Sequence, residues 1–348
     1  MSRRALILFS CVSVLWGVPY LFIEISIEGG ASPLLVGWGR VAIGAAILMP
    51  IAWKLGYLSG LRKHTKALVL FAIVECGLPW WLIPLGQEQV SSSLAAILIA
   101  TLPILTAFIA FRFDPDERVT GLRLVGLLVG ITGVILLLGL EVAGRSGEIL
   151  GALAILVATA CYAVGVFIVK RNFSDVSPIG AVAVALAIST VLLAPAGIAS
   201  IPGAEISAGA VGSIAVLGSF CSALALILFF TLIAEVGPTR ASVITYVNPA
   251  VAVVLGVTLL GESLGPAAVA GLLLILAGSW ISTGGGMPPG LAAIANARRR
   301  RSAKGGEKPS AAYLSPRWTQ RGATPTPSSP ICGSASPPSG ARTLRPDN

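Results

Sequence analysis

Residues 116–133, DERVTGLRLVGLLVGITG, and residues 261–278, GESLGPAAVAGLLLILAG, are two versions of one pattern set about 145 positions apart. Glu117, Gly126 and Gly133 of the first return as Glu262, Gly271 and Gly278 of the second. Upstream of each copy the correspondence continues. Ser32-Pro33 and Pro50 recur as Ser177-Pro178 and Pro195, and Pro103 recurs one residue late as Pro249. The chain is therefore a tandem duplication of one unit.

Of the 348 residues, 55% are hydrophobic and only 11% charged. A soluble domain carries about 25% Asp, Glu, Lys and Arg, so this chain has too little charge to cover a water-exposed surface. A soluble globular fold is excluded. Apolar windows separated by short loops predict ten membrane spans, at about 5–26, 33–53, 67–87, 91–111, 119–140, 149–169, 178–198, 209–234, 239–260 and 265–283. The first, behind Arg3 and Arg4, is too long for a signal-peptide core and lacks a small-residue cleavage site, so it reads as a retained helix.

Each unit holds five spans. Five is odd, so the second unit lies upside down relative to the first. Charge agrees with this: Glu117 is flanked by Arg112, Arg118 and Arg123, whereas the loop at Glu262 has no Lys or Arg. With the N-terminus inside, one side of the membrane takes Arg3, Arg4, Lys54, Arg62, Lys63, Lys66, Arg112, Arg118, Arg123, Lys170, Arg171 and Arg240, and the other takes Arg145 alone. The positive-inside rule then places both termini in the cytoplasm. The expected fold is an all-α integral membrane protein of ten transmembrane helices in two inverted-topology five-helix repeats. The repeats are 1–143 and 144–284, followed by a disordered basic cytoplasmic tail, 285–348. Gly126 and Gly130 form a GxxxG, which suggests close backbone approach.

Two charges lie deep inside spans. Arg40 is near the centre of the second span and Glu75 near the centre of the third. An ionisable group there costs at least about 2.5–3.5 kcal/mol and normally faces a cavity or a partner. The two spans are sequence neighbours, so the charges are expected to pair or to share a polar cavity. Glu75 is a candidate for proton coupling or for binding a cationic or amine-bearing substrate; Arg40 reads equally as part of a structural ion pair. After Glu75 the chain runs Cys76, Gly77, Leu78, Pro79, Trp80, Trp81 and Pro84. The prolines must distort the helix, and distorted backbone at membrane depth is tolerated where it lines a cavity. Trp80 and Trp81 are candidates for a pocket wall, or for an aromatic belt, and Trp16 shares that ambiguity. Thr101 beside Pro103, and Tyr246 with Asn248 beside Pro249, place polar groups at corresponding proline kinks that offer freed carbonyls to a substrate or simply shape the bundle.

Catalytic readings find little. The one histidine, His64, sits in a basic loop, and no paired carboxylates, metal-ligand spacing or phosphate-cradling glycine motif occurs. Five dispersed cysteines give neither a disulfide framework nor a metal site. No cofactor and no metal are expected.

The order of these features resembles the drug/metabolite transporter superfamily, in its ten-helix type built of two EamA-type domains. The resemblance covers residues 5 to about 283. It rests on Trp16-Gly17, Gly39-Arg40-Val41-Ala42, Ala95 through Leu102-Pro103, and Asp116-Glu117-Arg118 leading to Gly126 and Gly133. In the second unit it rests on Ala163-Val164-Gly165, Asn248-Pro249, and Gly261-Glu262 leading to Gly271 and Gly278. Arg40 matches an arginine common in that family; Glu75 is not part of its general pattern. The resemblance implies a secondary transporter that is not an enzyme. It would move a small metabolite, amino-acid-like compound or drug by alternating access, as an exporter in the cytoplasmic (inner) membrane, with its site at the repeat interface. The competing expectation is a membrane-embedded enzyme or non-transporting membrane partner on the same bundle. Expected partners are a small-molecule substrate, membrane lipids and, as candidate assembly, a homodimer; nucleic acid is not among them.

The formal charge of +9 resolves by region. Residues 1–290 carry 14 Lys and Arg against 13 Asp and Glu, and residues 291–348 carry 10 against 2. The membrane body is nearly neutral, and the Ser-, Pro- and Gly-rich tail with Arg298 to Arg301 is suited to anionic lipid headgroups.

Overall fold

The computed structural model describes residues 2–113, 121–140, 146–201, 205–237, 241 and 243–282. The chain divides into a helical body, Met1–Ala293, and a C-terminal unit, Ile294–Asn348, which lies outside the described residues. So do Asp116, Glu117, Arg118, Arg145, Arg240 and the tail beginning at 285.

Among the described residues there are helices and no strands, and they form ten apolar spans. Here α1 is Arg3–Gly17 with Pro19–Glu28, α2 is Pro33–Lys54, α3 is Leu61–Gln87, and α4 is Ser92–Ile99 with Leu102–Phe113. Then come α5, Leu122–Leu140; α6, Ser146–Asn172; α7, Pro178–Ala199; α8, Ala208–Val236; α9, Ile244–Leu259; and α10, Pro266–Ser282. Seven helices are long and apolar enough to cross a membrane, and the three shorter apolar ones, in α5, α9 and α10, complete the set.

The repeated Ser-Pro pairs explain where two helices start. Ser32 accepts a hydrogen bond from Leu35 N at 3.2 Å, and Ser177 accepts from Gly180 N at 3.4 Å. In each case the serine is the N-cap and the proline takes the first helical position, where its missing N–H is no loss.

The twofold relation between the units is written in their contacts. Helices α5 and α10 pack antiparallel through glycines. A Cβ at Gly133 would lie 2.9 Å from Gly271 O, and a Cβ at Gly278 would lie 2.6 Å from Gly126 O and 2.3 Å from Gly130 N. The repeat maps Gly133 onto Gly278 and Gly271 onto Gly126, so the second contact is the image of the first. The GxxxG of α5 is thus a backbone-to-backbone seat for α10. Helices α2 and α7 also pair with one another, as do α4 and α9, while α3 packs on α6 as α8 packs on α1.

Among the described residues, one backbone feature occurs once in each unit. In α3 the stretch Ala72–Gly77 is π-helical, and in α8 the stretch Ser219–Leu224 is π-helical. In α3, Pro79 comes next and cannot donate to the Glu75 carbonyl, and Pro84 likewise leaves the Trp80 carbonyl free. The Trp80 carbonyl lies against Gly37 of α2, where a Cβ would be only 2.5 Å away.

Candidate functional site

A cavity of about 450 Å³ lies between the two units, within the usual range for small-molecule sites. Its wall is drawn from both, including Trp16 and Tyr20 of α1, Arg40 of α2, Glu75 and Trp80 of α3, Tyr162 and Gly165 of α6, Ser222 of α8 and Asn248 of α9. Most of the remaining lining is apolar or aromatic, with Phe71, Phe173, Phe229 and Phe230 among it. The cavity runs from mid-bundle toward the end where α3 and α7 begin and α6 and α8 finish. Toward the opposite end its lining stops at Ile23, Ile83 and Ala96.

Arg40 is buried at 8% exposure, and two contacts hold it. Its Nε donates to Ser222 Oγ at 2.9 Å, across the interface between the units. Its guanidinium carbon stands 4.0 Å from the centre of the Trp80 ring, a cation–π stack. Ser222 in turn donates to Leu217 O at 2.8 Å, a five-residue reach that belongs to its π segment. Nε is thus occupied, and the terminal guanidinium nitrogens remain as donors directed by a fixed base.

Glu75 comes from the other π segment, and its surroundings differ. No ion pair joins it to Arg40, and among the described residues no hydrogen bond reaches its carboxylate. It packs on Gly165, where a Cβ would lie 2.1 Å from Glu75 Oε2; glycine makes the seat. Of the two arrangements expected from the sequence, the structure brings Arg40 and Glu75 into one cavity and does not pair them. Ser222 has taken the place beside the guanidinium.

Trp16 lines the cavity and packs on Phe229 with ring centres 4.6 Å apart. Asn248 also lines it, and its amide nitrogen is placed to donate to Ile244 O at 2.9 Å and Ser13 O at 3.2 Å, which ties α9 to α1. Trp81, Thr101 and Tyr246 do not line it. Trp81 comes after Trp80 by about 100° of helix rotation and sits with its backbone near Gly37. Thr101 is buried at the break within α4 and donates to Leu98 O at 2.6 Å. Sequence reasoning missed Ser222, Tyr162 and the seat at Gly165. The signal for Ser222 was its place in the repeat, two residues beyond the 145-residue image of Glu75.

Two polar clusters flank the cavity axis. At the end where the cavity lining stops, buried Gln87 donates from Nε2 to Tyr20 O at 2.9 Å and to Glu24 Oε2 at 3.0 Å, fastening α3 to α1. At the other end, Asp175 in the α6–α7 loop accepts from Lys63 and meets His64 Nε2 at 3.0 Å. The Lys63 hydrogen bond holds the Asp175 carboxyl below the usual carboxylate range.

The model of the EamA-like transporter family matches residues 3–139 and 149–284, so the match occurs twice and covers most of the chain. The chain belongs to that family, and is an all-helical integral membrane protein of transporter type. Its relatives include the uncharacterized inner membrane transporter YedA of Escherichia coli strain K12, 30% identical over 260 residues, 72% of this chain and 81% of that one. The uncharacterized transporter YvbV of Bacillus subtilis strain 168 is 25% identical over 279 residues, covering 79% and 90%. A solved crystal structure, 20% identical, superposes with a TM-score of 0.56 over 81% of this chain and 98% of that one, a likeness of fold.

Proposed function

We propose that the protein is a secondary transporter, an exporter in the cytoplasmic membrane, that carries an amino-acid-like zwitterion with an apolar side chain by alternating access. The observation that carries this reading is one cavity holding an anchored guanidinium and a carboxylate with no hydrogen-bond or ion-pair partner among the described residues, two charges that do not neutralise each other. A substrate carboxylate fits the free face of Arg40, a substrate ammonium fits Glu75, and the aromatic walls fit the side chain. When the substrate leaves, Glu75 is free to take a proton, which makes it the coupling group. The five-helix halves, 1–143 and 144–284, rock about the α2–α7 and α5–α10 contacts. Membership in a transporter family supports transport over catalysis or a non-transporting partner role. The inner membrane location named for YedA supports the choice of membrane, and the loop basic residues support cytoplasmic termini. The basic charge of the sequence at 285–348 suits it to anionic lipid headgroups.

The test is flux in proteoliposomes against a panel of amino acids, amines and carboxylic acids at several imposed pH gradients. Apolar amino acids should be moved and single-charge analogues should not. Glu75→Gln should remove pH-driven flux with folding retained. Full pH-driven flux in Glu75→Gln, or transport of amines as good as that of zwitterions, removes the reading.

A further inference from the structure

The end of the bundle where the cavity lining stops is fastened by a side chain from outside the cavity. Glu262 lies in the loop between α9 and α10, just after Gly261, whose φ of +67° turns the chain back on itself. The reversal lets Glu262 N donate to Gly256 O at 3.1 Å, and sends the carboxylate across to the first turn of α4. There Ser92 N donates to Oε1 at 2.8 Å, Ser93 N donates to Oε2 at 3.0 Å, and the Ser93 hydroxyl also donates to Oε2. Ser91 caps the next amide, Leu94 N, at 3.2 Å. The free amides of this helix start are therefore satisfied by a serine of the first unit and a glutamate of the second. Room for the carboxylate comes from Gly256 on α9, where a Cβ would lie 2.3 Å from Glu262 Oε2 and 2.4 Å from Ser93 Oγ.

Three features separate this contact from an ordinary helix cap. It joins the two units, it lies at the end of the bundle where Gln87 also ties α3 to α1, and the two helices it ties both reach the cavity lower down, α4 through Ala96, Ile99 and Ala100, α9 through Thr245 and Asn248. Its strength suits a switch. Charge-assisted hydrogen bonds to a helix N-terminus are firm while water is excluded. Carboxylate, hydroxyl and amides can all be hydrated once they separate.

We propose that Glu262 is the latch that keeps this end shut, and that it must leave the α4 N-terminus each time the cavity is exposed to that side. The proposal rests on the transport reading only for its purpose; the latch itself is a statement about access. Cys221, which lines the cavity, serves as a native reporter, and Ala96→Cys, near the latch, as a second one. Proteoliposomes are treated with a charged, membrane-impermeant methanethiosulfonate from one face or the other, and modification at each cysteine is followed by mass spectrometry. Wild-type protein should react from the face opposite the latch. Glu262→Gln should raise the rate from the latch face severalfold, and Ser93→Ala should raise it less. An unchanged latch-face rate in folded Glu262→Gln overturns the proposal; if that variant does not fold, an unchanged rate in Ser93→Ala does so. A wild type that moves no zwitterion, while Glu262→Gln still opens the latch face, sinks the transport reading and leaves the latch standing.

Discussion

The two five-helix units agree in backbone and disagree in chemistry. Each has a π segment in its third helix, an N-capping serine before a proline at the start of its second, and glycines at the same positions of its fifth. Yet the first unit brings Arg40, Glu75, Trp80 and Tyr20 to the cavity. The second answers with Ser222 opposite Arg40 and Gly165 beneath Glu75. The difference teaches that symmetry serves the motion and asymmetry serves recognition. Two related frames can exchange conformations, while one set of charges reads the substrate.

If the frame is symmetric in energy as well as geometry, Gly278→Leu and Gly133→Leu should destabilise alike. Each forces a side chain into opposing backbone, an overpacking expected to cost at the upper end of about 1–3 kcal/mol, seen as a large fall in Tm in detergent. A strong effect at one position and none at its image would break the twofold reading of α5 and α10.

The asymmetric half of the comparison is probed at its seats. Gly165→Ala places a methyl against the Glu75 carboxylate and should leave the fold intact while cutting transport tenfold or more, since a misplacement of 1 Å can be worth about 10²-fold. Wild-type flux would show that the carboxylate does not work from this position. Ser222→Ala removes one hydrogen bond to a charged donor, but the Trp80 stack remains. A rise in KM of about three- to tenfold is expected, in keeping with the modest net worth of such bonds, with kcat nearly unchanged.

The smallest effect belongs to the loop cluster. Asp175 is exposed, with its side chain 44% accessible, and Asp175→Asn should lower Tm only marginally. Because its carboxyl titrates below its ordinary range, the contribution is present near neutral pH and fades as pH falls through the carboxylate range. A Tm difference between wild type and Asp175→Asn that grows on acidification would contradict the Lys63 pairing.

Much of the architecture was legible in the sequence, and the physical reason differs by element. Spans and inversion stem from apolar length and an odd helix count, both carried by local sequence; the Ser-Pro pairs stood out only as repeats, and their capping role came with the structure. Arg40 and Glu75 were conspicuous because charge at membrane depth is costly. Ser222 was not, since a serine in an apolar run has no such signature and its partner is 182 positions away. Trp80 and Trp81 could not be told apart because the π segment shifts the phase of the helix beyond it. Glu262 was recognised as part of the repeat, but its reach to Ser92 and Ser93 depends on the turn at Gly261 and on packing of α9 against α4.

A π turn holds one residue more than the α turn it replaces, so everything beyond it is rotated by about 100° relative to an uninterrupted helix. Trp80 meets Arg40 only because of that added residue. A one-residue deletion within 72–77 that spares Glu75 would remove no cavity-lining side chain itself, yet it would swing Trp80 out of the stack and bring another face of α3 to the front. The substrate wall is thus set partly by the count of residues in a turn, a property that substitution scanning would never touch.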